Sequence, residues 1–336
     1  MSGYVGTIKD QLWVGRNVET VLLIGERNKV AVRINDVRKS TESTEHKLGV
    51  CLQPVFMHAD WPQFVQFFEY WLEEGATKFY IYWESYTDEV KRVINFYKEH
   101  SRVEIQLIEW SKLPTFSSNP DTDPNFYWYR LEAFMAIFDC MHQARWNVHF
   151  VAQSDLDEMF YVTADKSLLN YLHWLEFRNP TMASVNFVSR RVRVPNYWDR
   201  ISSPRELNFS PFLETELESQ AFKRPLYMKN IYIPERVKRF DIHFQRETEE
   251  ISQTSSLTYS HLNASVHNGM VLHLRRTDSI FSWTGSKMSR ELVMLANRME
   301  RNYLRRLAAD QTGLCEFFID FDFNSIKTSF NSIQLD

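Results

Sequence analysis

From Gly49 onward, short apolar runs alternate with amphipathic stretches, and this alternation constrains the fold of the 336-residue chain more than any other feature. Residues 49–55 read as a buried strand. Asp60 and Pro62 then signal a helix start, with Phe64, Phe67, Phe68, Trp71 and Leu72 at helical spacing and Gly75 as the stop. Core packing explains those aromatics better than cofactor stacking. Residues 78–83 form the next strand, and the polar turn 84–88 caps a helix carrying Val90, Val93, Ile94 and Tyr97. Residues 103–108 follow as a third strand. Helical crossovers between consecutive strands imply parallel pairing, so the expected fold is α/β, a mostly parallel central sheet flanked by helices.

Upstream, residues 20–24 and 30–34 are strand candidates that end in the polar stretch 39–45, so residues 1–48 read as a small N-terminal β-rich appendage. Residues 49–290 would be the sheet domain and 291–336 a C-terminal helical extension and tail. A polar loop at 112–124 leads into a long helix, expected to bury Leu131, Phe134, Met135, Phe138 and Met141. With 44% hydrophobic and 24% charged residues the chain can bury a sizeable core, and wholesale disorder is excluded. The net charge of −4 gives no chain-wide reason to bind nucleic acid or an anionic membrane. The basic run Arg190-Arg191-Val192-Arg193 reads as a solvated strand edge. Cys51, Cys140 and Cys315 have no CxxC spacing; each reads as a small buried apolar side chain, and the odd count leaves at least one free. They leave the redox compartment open. No run of about 18 apolar residues suggests a membrane segment on this chain. The triplets at Asn208 and Asn263 fit N-glycosylation, but about two are expected by chance.

The strand 147–152 runs directly into Gln153-Ser154-Asp155-Leu156-Asp157-Glu158, which puts the acids at its carboxyl end. Ligands of open α/β sheets bind there. Carboxylates two apart on an ideal strand would sit about 7 Å apart, so both reach one cation directly only if the chain bends. Such a cation, Mn2+ or Mg2+, could bridge the phosphates of a nucleoside diphosphate and stabilise the leaving group. A bare DxD is common; its strand and the aromatic exit Met159-Phe160-Tyr161-Val162 make it specific.

Strand, DxDE and aromatic exit together resemble the GT-A glycosyltransferases, and further residues narrow the resemblance to glycosyltransferase family 92. These are Pro54-Val55-Phe56 with Trp61, Phe79-Tyr80-Ile81-Tyr82, Asp139-Cys140, the segment Lys229-Asn230-Ile231-Tyr232-Ile233-Pro234-Glu235-Arg236-Val237, Ile242-His243, and Leu272-His273-Leu274-Arg275. The resemblance implies a GT-A-like sheet and an inverting transfer of galactose from UDP-galactose to a glycan acceptor, in the Golgi, with Mn2+. It further implies donor contacts and metal ligation at Asp155 and Asp157, with Glu84 standing at the position of a nucleotide contact, and His273 as the remaining metal ligand, with His243 and His261 as competitors; Arg130, on the helix expected to flank the donor crevice, is a further donor-contact candidate. Asp199, Asp241 and Asp278, in the C-terminal half, are candidates for the base that deprotonates the acceptor. Donor binding is expected to need the metal, because two bare carboxylates repel a diphosphate. The chain departs from the family at Trp83-Glu84, where an acid–amide pair is expected, at Leu274 after the histidine, and in lacking an N-terminal membrane helix. Competing readings are a nucleotidyltransferase, which no Gly-rich loop supports, a glycosidase, and an inactive glycan-binding protein.

Overall fold

The computed structural model describes residues 19–25, 29–33, 46–56, 58–110, 132–163, 167–195, 198, 201–218, 221, 228–243, 247–252, 255–276, 286–287 and 290–319. Strands β1 (Thr20–Ile24) and β2 (Lys29–Arg33) pair as an exposed antiparallel hairpin. Next come β3 (His46–Val55), α1 (Trp61–Glu73), β4 (Lys78–Trp83), α2 (Asp88–His100) and β5 (Glu104–Glu109). Then follow α3 (Glu132–Ala144), β6 (Val148–Ser154), β7 (Glu158–Val162), α4 (Leu168–Arg178), β8 (Met182–Phe187) and β9 (Ser189–Val194). The later elements are β10 (Glu216–Leu217), β11 (Lys229–Tyr232), β12 (Glu250–Ser252), β13 (Ser255–Thr258) and β14 (Ser260–Asn263). The last are β15 (Gly269–Arg276), β16 (Ser286–Lys287), α5 (Arg290–Ala308) and α6 (Leu314–Ile319).

A seven-stranded sheet in the order β14-β8-β11-β6-β3-β4-β5 forms the centre. Within it β3, β4, β5 and β6 are parallel, as the crossovers require, and β11 alone runs antiparallel to its neighbours β6 and β8. A second sheet, β16-β10-β9-β15-β7, continues from the turn that follows β6. The basic run at 190–193 therefore lies on β9, an interior strand between β10 and β15, and not on an edge. Both faces of the central sheet are covered, which is why its strands read as near-continuous apolar runs.

Local signals explain the helices on one face. The Asp60 carboxylate accepts from Gln63 N at 3.1 Å and Pro62 occupies the first turn of α1, while Gly75, at φ +94°, supplies the left-handed residue that ends it. Phe64, Phe67, Phe68 and Trp71 are buried against the sheet as their spacing predicts. The opposite face carries α3, and here the structure differs from the reading. Ala136, Ile137, Cys140, Met141 and Ala144 are the buried stripe, whereas Phe134 and Met135 are 44% and 48% exposed. Cys140 forms a disulfide with Cys51 of β3, Cα to Cα 6.1 Å, across 89 residues of sequence. The bond lies within this buried stripe, where Ala136 and Ala144 leave room for the helix to approach the sheet closely. Cys315 is buried and free.

Candidate functional site

The chain bends at the carboxyl end of β6. Glu158 N donates to Asp155 O at 3.3 Å, closing a turn that hands the chain from the central sheet to the second sheet. The bend removes the straight-strand geometry and sends the two aspartates to different partners.

Asp157 meets β15. That strand runs antiparallel to β7 with His273 directly opposite Glu158, and Leu274 N donates to Asp157 O at 2.7 Å. His273 Nε2 consequently lies 3.0 Å from Asp157 Oδ2, and Arg275 Nη1 lies 3.5 Å from the same oxygen. Burial alone would raise the Asp157 carboxyl, but the His273 hydrogen bond and the charges of His273, Arg275 and Lys229 hold it below the ordinary aspartate value.

Asp155 meets β11. Because β11 lies beside β6 with Ile231 opposite Ala152, Lys229 reaches the end of β6. Its Nζ donates to Asp155 Oδ2 at 2.9 Å and pairs with Glu158 Oε2 at 3.1 Å. Asp155 N donates to that same Glu158 oxygen at 3.1 Å. Lys229 and Glu158 are both almost fully buried. Burial and the Asp155 charge push the Glu158 carboxyl up to about 7 against the pull of Lys229. Burial opposes the Lys229 ammonium, yet the two acids keep it well above the usual lysine value. Asp155 Oδ1 is buried and has no hydrogen-bond partner among the described residues.

The segment after β11 returns to this edge. His243 Nδ1 contacts Met228 O at 3.0 Å, and burial depresses its imidazole, with the Lys229 charge adding to the effect. Asp241 is buried and its Oδ1 accepts from His243 N at 3.0 Å. Glu84 follows β4 on the same edge of the sheet, half-buried, its N donating to Val55 O at 2.8 Å. Ser184 Oγ and His261 Nδ1 are 2.7 Å apart, so His261 is engaged on β8. Of the residues singled out from sequence, Asp157 and His273 are thus brought into contact, Asp155 adjoins them through the turn, and Glu84 and Asp241 share their edge. Arg130, Asp199 and Asp278 lie outside the described residues. Lys229 was visible in sequence only as part of a motif, without a role.

Two atoms at adjacent positions of an octahedral shell with bonds of about 2.1 Å lie about 3 Å apart. The Asp157–His273 separation of 3.0 Å fits that spacing, and the unpartnered Asp155 Oδ1 is a further oxygen donor one turn away. Among the described residues, no three His, Cys, Asp or Glu side chains converge as a metal cluster, and Asp155 Oδ2 is turned to Lys229.

The mostly parallel sheet with one antiparallel strand, and an acidic turn leading from its central strand into a second sheet, define a GT-A-like α/β fold. The model of glycosyltransferase family 92 matches residues 46–310, and the chain belongs to that family. No curated protein matches it in sequence. Similar solved structures include the mannosyltransferase PcManGT from Pyrobaculum calidifontis in complex with GDP-Man and Mn2+, at 10% identity and TM-score 0.36, covering 88% of this chain and 82% of that one. S. aureus TarS 1-349 in complex with UDP-GlcNAc is 14% identical, at TM-score 0.33, with 85% and 79% covered. The mannosyltransferase Ktr4p from S. cerevisiae is 11% identical, at TM-score 0.29; 61% of this chain is covered, and the match spans 60% of that protein's chain. No helix among the described residues is long and apolar enough to cross a membrane.

Proposed function

We propose that this family 92 chain is a metal-dependent inverting transferase that moves a hexose, galactose by family resemblance, from a UDP-sugar to a glycan acceptor. The observation that carries the reading is the 3.0 Å pair of Asp157 Oδ2 and His273 Nε2 at the end of the central strand. Asp157, His273 as the neutral imidazole, and Asp155 through Oδ1 would hold Mn2+, or Mg2+ less well given the nitrogen ligand. Held by these residues, a divalent cation would supply the positive charge that favours departure of a diphosphate. Arg275, half exposed beside Asp157, adds positive charge on the same side. Glu84, at the end of β4, would accept hydrogen bonds from the donor, and Arg130 would contact diphosphate oxygens or a sugar hydroxyl. In an inverting transfer a carboxylate takes the acceptor proton on the face of the sugar opposite the nucleotide. Asp241, buried at the same edge, is our first choice for that base, ahead of Asp199 and Asp278.

The Cys51–Cys140 disulfide supports synthesis in an oxidising compartment, as a Golgi enzyme requires. The deciding measurement incubates the protein with UDP-galactose, other UDP-hexoses and a simple aryl glycoside, each with Mn2+ and with chelator. Metal-dependent release of UDP and an inverted product linkage by NMR are expected. Cleavage of the glycoside with UDP-sugars untouched would replace transfer by hydrolysis, and equally tight UDP binding in chelator would remove the metal.

A further inference from the structure

The buried lysine beside the acidic turn is not required by the metal reading, since a cation next to metal ligands opposes the metal. It is nevertheless built in with care. Its Nζ lies 2.9 Å from Asp155 Oδ2 and 3.1 Å from Glu158 Oε2, and that glutamate oxygen also takes the Asp155 backbone N–H at 3.1 Å. The three groups close a ring that holds Asp155 by its side chain through Lys229 and by its backbone through Glu158, while Lys229 and Glu158 hold each other. Glu158 is held in turn by β7, and Lys229 by β11, so the ring ties the turn to both sheets. One oxygen of Asp155 is consumed and the other, Oδ1, stays buried without a partner among the described residues. An aspartate on a turn would otherwise sample several rotamers with both oxygens competing for ligand.

We propose that Lys229 is a positioning residue for the donor site, which together with Glu158 locks Asp155 so that Oδ1 alone is left without a protein partner and available to the ligand. The inference rests on the proposed donor-site function of Asp155. Lys229 itself touches neither donor nor metal; it acts through the carboxylate it holds. Its effect on ligand binding therefore exists only while Asp155 carries that carboxylate.

The test is a double-mutant cycle between Lys229→Met and Asp155→Asn, read by calorimetry of UDP binding in saturating Mn2+ and by the KM for UDP-galactose. Each single variant is expected to weaken UDP binding at least tenfold, and Lys229→Met is expected to add less than threefold when Asp155 is already Asn. Lys229→Arg, which keeps a cation in the ring, is expected to recover part of the loss. Circular dichroism and thermal melting establish that each variant is folded. If Lys229→Met does not fold, the cycle is run with Lys229→Arg, whose longer, planar head misplaces Asp155 and should give a smaller but equally non-additive loss. Additive losses would mean that Lys229 meets the ligand directly and would overturn the proposal, as would an unchanged affinity in the folded single variant. A wild-type protein that binds neither Mn2+ nor UDP fails differently: it removes the donor-site reading itself, and this inference with it.

Discussion

Asp157 and His273 are 116 residues apart in the chain, yet their functional atoms are 3.0 Å apart because β7 and β15 pair with His273 opposite Glu158. Replacing either side chain leaves that backbone ladder intact. His273→Ala and Asp157→Asn should therefore fold normally, and each is expected to lower Mn2+ affinity by tenfold or more, measured by calorimetry or by electron paramagnetic resonance of free Mn2+. Unchanged Mn2+ binding in both would end the proposed role of the pair. The acids and the histidine were legible in sequence because each sits where a recognisable apolar strand ends or runs. Lys229 was not, although it lies in a segment of family character. Its partner Asp155 is 74 residues away, and the contact depends on β11 inserting antiparallel between β6 and β8. No local pattern announces such an insertion. In sequence Glu158 is one more acid of the turn; its burial, its pairing with Lys229 and the Asp155 N–H it accepts separate it from the other two.

Among the elements, the parallel core was the easiest to read, since β3, α1, β4, α2 and β5 each carry their own period and stop signals. The face of α3 is not legible in the sequence because its apolar residues surround the helix, and packing against β3, where Cys140 meets Cys51, decides which of them turn inward. The seam between α1 and α5 was not legible either. Leu292, Leu295, Ala296, Met299 and Tyr303 of α5 belong to the main core, and Arg298 and Asn302 bind Glu73 while Arg306 binds Glu69. A domain boundary drawn at 290 would detach that seam, so a chain ending at 289 is expected to lose its cooperative melt. The seam also sets a pH dependence. Burial pushes the Glu69 carboxyl up to about 7, although Arg306 and the Tyr97 hydroxyl pull it down, and Glu74 is pushed up to about 7 by burial as well. An acid with a raised native value binds more protons folded than unfolded, so its contribution is complete below the ordinary glutamate value and is lost as pH rises towards 7. Asp157 and Glu176, held low, act in the opposite sense and only at lower pH, where protonation removes what they contribute. The depressed imidazoles of His142, His173 and His243 act against this fall over the same range, so the Glu69 effect is read as a difference: in urea unfolding between about pH 5 and pH 7, the stability of Glu69→Gln should fall less steeply, or rise more steeply, than that of the wild type, by up to about 1.4 kcal/mol per pH unit. The same slope in wild type and variant would show that Glu69 is ionised throughout.

At the scale of the whole molecule, the near-neutral charge and mixed surface say little about where the chain works, and the cysteines say more. Three separate cysteine positions implied no pairing, because the proximity of Cys51 and Cys140 exists only once α3 lies on β3. The bond closes a loop that contains α1, β4, α2 and β5, so it constrains the unfolded chain across one half of the central sheet. For a loop of this length the entropic model gives roughly 4 to 5 kcal/mol, with measured values commonly about 2 to 4. The paired variant Cys51→Ala/Cys140→Ala is expected to melt several degrees lower while keeping its Mn2+ affinity, since neither cysteine touches the acidic turn. Both sulfurs are buried, so a reducing agent should act on the native protein only as fast as it opens. Thiol titration supplies the direct check. The native protein should react slowly or not at all, the denatured, unreduced protein should show one thiol, that of Cys315, and the reduced protein should show three. Three thiols before reduction would mean that the bond does not form in the protein as purified, and would withdraw the support it lends to an oxidising, secretory setting.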